Sequence, residues 1–374
     1  MSAKKKSKQF NAFIAVLLAA VCLAVGVAGG YFGLLTLTAP TETESYSVGS
    51  ISVHFLELGN WYTGDCTYIK AGDTDILIDA GSRTSSVSTI SAYLDNFVTD
   101  GKLEYVIVTH AHQDHYAGFA TNDGTDSIFD LYECGTIIDF ALTNQEQNED
   151  TNGDGYGENM YSDYLRERDA EIAKGAKHYT SAECIRSGNR EFAISDTATL
   201  KILDQKFYYE EASTENDYSV CCLISEGDEH FLFTGDLEKE GEESLVELNE
   251  LPEISLYKAG HHGSKTSSHD VLLDVIKPDV VCVCCCAGTD EYTDTMANQF
   301  PTQEFIDRVS KHTDAVYVTS LGVDNETKEF TSMNGNIVVS FAFGEITVEC
   351  SANNTKLKDT EWFKSNRTVP DSWK

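Results

Sequence analysis

Three histidines and an aspartate crowd into the run Thr109-His110-Ala111-His112-Gln113-Asp114-His115. The whole chain has 10 histidines in 374 residues, so such a cluster is a poor match for a solvated loop with chance histidines. Imidazole nitrogens and a carboxylate are good ligands for zinc and related ions. On an extended chain His110 and His112 point the same way, and Asp114 and His115 then face another direction. That division suits two neighbouring ions better than one. Two ions about 3.5–4 Å apart clamp a nucleophile and a leaving oxygen.

The elements around the cluster must hold it at a strand end. Leu103–Thr109 (LEYVIVT) reads as a buried strand running directly into the histidines. Upstream, residues 51–58 alternate as a strand, and 67–71 and 75–79 follow across the turn Gly72-Asp73-Thr74. Val87, Ile90, Leu94 and Phe97 have helical spacing, giving a helix over 85–97. Downstream, strands are expected at 135–140, 200–203, 218–224, 230–234, 254–258, 280–286 and 315–319. Helices are expected at 161–174, 238–248, 267–276 and 302–312. Residues 336–341 and 345–350 close as a hairpin across Phe343-Gly344. Strands arriving in runs, with helices interspersed, predict an α+β fold of two sheets covered by helices, a four-layer αββα sandwich.

Composition bounds the partners. There are 27 basic and 61 acidic residues, a formal charge of −34. Such a surface repels nucleic acid and anionic lipid, which excludes tight binding of long DNA by charge. Of the 11 cysteines, Cys282, Cys284, Cys285 and Cys286 share one apolar run, and Cys221 and Cys222 another. Both runs read as buried strands with Cys as a small hydrophobe, and neither has zinc-knuckle spacing. Asp150, Asn152 and Asp154, with Gly155, match the start of a calcium loop. The twelfth position is Tyr161 rather than Glu, so a flexible acidic insertion is the preferred reading over calcium.

Residues 1–9 are a basic cytoplasmic tail and 10–35 a transmembrane anchor. No charge falls between Phe13 and Leu35, and Lys4, Lys5, Lys6 and Lys8 precede that run. The expected product is a single-pass protein of the cell membrane with its domain outside, secreted if the leader is instead a cleaved signal peptide. Residues 36–48 read as a linker, 49–350 as the folded domain and 351–374 as a polar tail.

HAHQDH resembles the HxHxDH motif of the metallo-β-lactamase superfamily. Three further segments resemble that family in the expected order: ILIDAGS ending at Asp79, FLFTGD ending at Asp236, and AGHHGSKTSS with His261 and His262. The resemblance is closer to the hydrolase-like domain of the ComEC competence protein, over residues 49–342. It implies two zinc ions, with manganese the alternative at one or both sites, held by His110, His112, Asp114, His115, Asp236 and His262. Asp236 bridges them, Asp114 also orients the nucleophilic water, and His261 is the fallback for His262. Asp79 orients a ligand or the loop. Where most members have a further ligand histidine this chain offers Asn216 and Asp217, and Asp217 is taken as the replacement ligand. Phe300 stands where the ComEC-like group often has a histidine before a proline.

The expected function is a metal-dependent hydrolase, phosphodiesterase or nuclease-like. By resemblance it acts on DNA; by charge it acts on a small or wall-derived phosphodiester. The alternatives are a β-lactam, ester or thioester hydrolase of the same fold, and a degenerate, non-catalytic metal-binding surface module.

Overall fold

The computed structural model describes residues 50–121, 125–342 and 344–374. The basic tail, the apolar segment 10–35 and the linker lie outside the described residues. Among those described, no helix is long and apolar enough to cross a membrane.

Two eight-stranded mixed sheets pack together with helices around them. The first sheet begins with β1 (Ile51–Phe55), β2 (Thr67–Ala71), β3 (Thr74–Ile78), β4 (Lys102–Ile107), β5 (Glu133–Asp139) and β6 (Lys177–Thr180). The second holds β7 (Glu191–Ala193), β8 (Ala198–Ile202), β9 (Cys222–Glu226), β10 (Glu229–Phe233), β11 (Leu256–Lys258), β12 (Val280–Ala287), β13 (Val316–Asp324) and β14 (Glu329–Ser332). The chain then returns to the first sheet with the hairpin β15 (Ile337–Ala342) and β16 (Glu345–Cys350), so that β15 pairs antiparallel with β1. Each sheet has a parallel run, β3 to the edge strand β6 in one and the central β10 to β13 in the other.

β12 (VVCVCCCA) shows why the cysteine run is buried throughout. Val280, Cys282 and Cys284 join the core between the sheets. Val281, Val283, Cys285 and Ala287 join a second core against the outer helices. A strand covered on both faces has no polar side, and each fully buried Val contributes about 1.5–3 kcal/mol. The ten described cysteines are free, and nine of them are buried.

Several boundaries differ from the sequence reading. The strand expected from 218 begins at Cys222, because Glu215–Tyr218 turns as a 3-10 helix. The helix expected from 267 begins at Asp270. Ser267 spends its hydroxyl on the Leu237 carbonyl at 2.7 Å, and the Glu242 carboxylate accepts from the backbone N–H groups of Ser268 and His269 instead. Residues 351–374 are not a detached tail. They form a 3-10 turn and the helix Glu361–Asn366, and they bury Leu357, Phe363 and Trp373 in the second core. Three apolar anchors spread over a polar stretch give little periodicity, which hid them. In the Asp150–Gly155 loop, the Asp150 carboxylate accepts from Gly153 and Gly155 N–H, and Asp154 pairs with Arg166 at 3.2 Å. Its carboxylates serve the loop and Arg166, and this geometry lends the calcium expectation no support.

Candidate metal centre

The site gathers at the carboxyl ends of parallel strands from both sheets, where side chains on successive loops can converge. Asp79 follows β3 directly, and residues 110–115 follow β4. Asp236 follows β10, Lys258 ends β11, and His261 and His262 come just after it. Asp79, His261 and His262 all have positive φ, at 58°, 47° and 53°. Non-glycine residues rarely hold that conformation, and where they do the surrounding structure must impose it. Here a backbone mesh does so. Asp65 N–H donates to Asp114 O, Gly81 N–H to Asp65 O, and Ala80 N–H to His115 O, at 2.8–3.0 Å. A Cβ on Gly81 would meet the Asp114 carbonyl oxygen at 1.6 Å, so only glycine fits there.

His115 and His262 are fully buried, and each is pinned through one ring nitrogen. His115 Nδ1 lies 2.8 Å from Asp79 Oδ2, and Asp79 also accepts from Thr109 N–H and Oγ1–H at 2.8 Å. His262 Nδ1 lies 2.8 Å from the Cys284 carbonyl, an acceptor that fixes the proton on Nδ1. Both Nε2 atoms are thereby aimed inward with no hydrogen-bond partner, the arrangement that orients a metal-binding histidine. His115 Nε2 stands 3.2 Å from Asp236 Oδ2. His262 Nε2 stands 3.3 Å from both Asp236 Oδ2 and Asp114 Oδ2. Nearby, His110 Nε2 and His112 Nδ1 approach to 3.0 Å. Ligand nitrogens about 2.05 Å from a tetrahedral zinc lie about 3.3 Å apart, so these separations are those of atoms sharing an ion.

Asp65, His115, Asp236 and His262 present ligand atoms all within 4.8 Å of one another, and all four are buried. Asp65 Oδ1, His115 Nε2, Asp236 Oδ1 and His262 Nε2 have no well-directed hydrogen-bond partner. Buried polar atoms are normally satisfied, and a cation between them would satisfy these. The charges agree. Burial would raise the Asp236 carboxyl, but His115, His262 and His261 hold it far below its usual range. Burial would likewise lower His115 and His262, but Asp236 with Asp79, and Asp236 with Asp65, push them far up. Burial and the adjacent His115 push His110 far down, which leaves it neutral with a lone pair to donate. The carboxylates call for positive charge that the imidazoles supply by holding protons, and divalent ions fit that demand.

Asp65 and Lys258 were not singled out from the sequence. Lys258 is 3% exposed, pairs closely with Asp65, and lies 3.8 Å from Asp236 Oδ1. Glu215 was also missed. Its carboxylate accepts from Ala111 N–H at 3.0 Å and Asn144 N–H at 2.6 Å, fixing the backbone between His110 and His112. Tyr292 donates its hydroxyl to Asp114 Oδ2 at 2.6 Å. A lysine inside an apolar strand was the available signal for Lys258, since lysine is almost never fully buried without a partner.

Asp217 is placed apart from its expected ligand role. Its Oδ1 accepts from Glu238 N–H at 3.1 Å, at the start of the helix Lys239–Leu248. Asn216 donates to Glu238 Oε1 at 2.9 Å and leaves its buried Oδ1 unpartnered. His261, the fallback, lies farther from Asp236 Oδ2 than His262 does, 3.8 against 3.3 Å, and its Nδ1 meets Thr266 Oγ1 at 2.9 Å.

Residues 59–121 and 209–287 match the metallo-beta-lactamase superfamily, two segments that carry all the candidate ligands. The two separate segments, together fewer than half of the residues, are thus similar to that superfamily. It is 25% identical to Recombination protein 2 of Haemophilus influenzae over 149 residues, 40% of this chain and 16% of that protein. It is 30% identical to ComE operon protein 3 of Bacillus subtilis over 84 residues, 21% of this chain and 11% of that protein. The chain thus spans less than a fifth of the length of these curated relatives. A metallo-beta-lactamase fold protein from Bacillus subtilis aligns at 14% identity with a TM-score of 0.39, covering 74% of this chain and 91% of that one.

Proposed function

We propose that this chain is a metallo-beta-lactamase-like, metal-dependent phosphodiesterase acting on small phosphodiesters. The observation that carries the reading is the convergence of ring nitrogens and carboxylates at 3.0–3.3 Å. His110 and His112 would hold one divalent ion, zinc or manganese, and the unpartnered oxygen of Asn216 is the further candidate ligand. Asp114, His115 and His262 would hold a second, and Asp236 would serve both. Such ions supply a Lewis acid for the phosphoryl oxygen and a water of lowered pKa as nucleophile. The chain's own residues do the rest. Asp79 and the Cys284 carbonyl orient the ligand rings. Glu215 fixes the backbone at Ala111, and Lys258 neutralises Asp65 behind the ligands.

Similarity to Recombination protein 2 and ComE operon protein 3 supports a role connected with DNA. The charge of −34 supports small or wall-derived phosphodiesters over long duplexes. The apolar segment after the lysines supports an anchored protein with its domain outside the cell.

The test is a substrate panel on the purified chain reconstituted with zinc or manganese: bis(p-nitrophenyl) phosphate, duplex DNA, a chromogenic β-lactam and a thioester. Hydrolysis of the phosphodiester above all others is expected. Preferential β-lactam or thioester hydrolysis overturns the substrate class, and turnover of none favours a non-catalytic module.

A further inference from the structure

The loop between β12 and β13 carries an aromatic pair that stands beside the metal ligands. Tyr292 is tethered by its hydroxyl to Asp114 Oδ2 at 2.6 Å, which fixes the ring one side chain away from His262. Although its hydroxyl is engaged, the residue is 53% exposed. Behind it lies Phe300, with ring centroids 5.6 Å apart, and the Phe300 ring lies 5.7 and 5.8 Å from those of His261 and His262. The ligand histidines, Phe300 and Tyr292 therefore form a continuous wall from the floor of the site to solvent.

The loop is held in place from the other side. Glu291, next to Tyr292, accepts from Thr63 N–H at 2.8 Å and pairs with Arg83 at 2.9 Å. The Arg83 guanidinium in turn covers the Tyr62 ring at 3.9 Å. This pairing matters for recognition. Arg83, a cation on this rim, is neutralised by Glu291, and Lys265 is tied to Asn298 at 2.8 Å. In a chain this acidic, a substrate held by its phosphate at the metals gains its remaining affinity from an uncharged surface. A fixed, bare aromatic ring supplies one, because planar groups stack on it without charge.

We infer that Tyr292, backed by Phe300, is a specificity-determining wall that selects phosphoesters bearing a planar aromatic group over aliphatic ones. The inference rests on the phosphodiesterase reading and adds to it the group attached to the scissile phosphate. Stacking of this kind changes affinity by about tenfold or more.

Equilibrium binding to the metal-loaded chain tests the wall without turnover. The ligands are thymidine 5′-monophosphate, phenyl phosphate and methyl phosphate, measured by calorimetry on the wild type, Tyr292→Phe and Tyr292→Leu. The wild type should bind both aromatic phosphates about tenfold tighter than methyl phosphate. Tyr292→Phe keeps the ring against Phe300 but loses its tether and should keep the aromatic preference in weakened form, whereas Tyr292→Leu should bring the ratio to about one. Tighter binding of the thymidine compound alone assigns a nucleobase; equal tightening by phenyl assigns any planar group. Equal binding of aromatic and methyl phosphates by the wild type overturns the wall and leaves the phosphodiesterase reading standing. So does an unchanged ratio in Tyr292→Leu, or equal loss of all three ligands in both variants, which would make Tyr292 a loop tether only. Failure of every phosphate to bind the loaded chain overturns both.

Discussion

The two halves of the metal centre are braced to different degrees. His115 and His262 sit at 0% exposure with their outer nitrogens held at 2.8 Å by Asp79 and by the Cys284 carbonyl. His110 is equally buried, but its inner nitrogen faces His112, which is half-buried on a loop fixed through the contact of Glu215 with Ala111 N–H. Asn216, at the position where the resemblance implies a further ligand histidine, gives its amide nitrogen to Glu238 and leaves its buried Oδ1 unpartnered. The difference teaches that one half is pre-built for its ion by partners outside the ligand set. In the proposed two-ion reading the other would rely on two imidazoles and the Asn216 oxygen, a set that accommodates oxygen-preferring ions such as manganese.

The largest effect that would break this comparison comes from Asp236, whose Oδ2 faces both His115 and His262 and which we propose serves both halves. Asp236→Ala should lower kcat by about 10³-fold or more while the circular dichroism spectrum stays native. Near-normal turnover would separate Asp236 from the chemistry. Next in size is Asp79→Asn, which removes the charge that orients His115. It should weaken ion retention by about 10–100-fold in a chelator competition, with the loss confined to the tighter-held ion. Loss of the weaker-held ion instead would reverse the assignment of the halves.

A smaller change sharpens the comparison. Asn216→His restores an imidazole to the poorer half and should raise zinc affinity there by about tenfold, with manganese gaining less. Equal gains would mean that the residue at 216 does not reach the ion. The smallest effect concerns stability. Burial raises the Asp217 carboxyl to about 6. An acid with a raised folded pKa binds its proton more tightly folded than unfolded, so its ionised form destabilises the fold. That penalty is complete above the raised value and absent below the usual carboxylate range. Asp217→Asn should therefore raise Tm by about 2–4 °C at pH 7–8, and the gain should vanish near pH 4. A gain that persists at pH 4 would trace to packing.

What the sequence disclosed follows from how local each signal was. The run 109–115 and the apolar strand before it announce themselves within a few residues, and β2, at 67–71, falls where alternation puts it. Lys258 and Asp65 did not, because their meaning lies in a contact between segments nearly two hundred residues apart. The short strands β6, β7 and β14 were missed for a related reason. They are three or four residues long, largely unburied, and exist through pairing with neighbours. Asp217 failed as a ligand for a local reason, the 3-10 turn at 215–218 that puts its carboxylate at the start of the next helix.

In the proposed centre the converging side chains hold two ions in sites of unequal strength. Elemental analysis of the chain reconstituted with zinc or manganese and then desalted tests it most directly. The account predicts close to two ions per chain, falling to close to one when His110 and His112 are both replaced by alanine. A reconstituted, folded chain that retains no transition metal would contradict it.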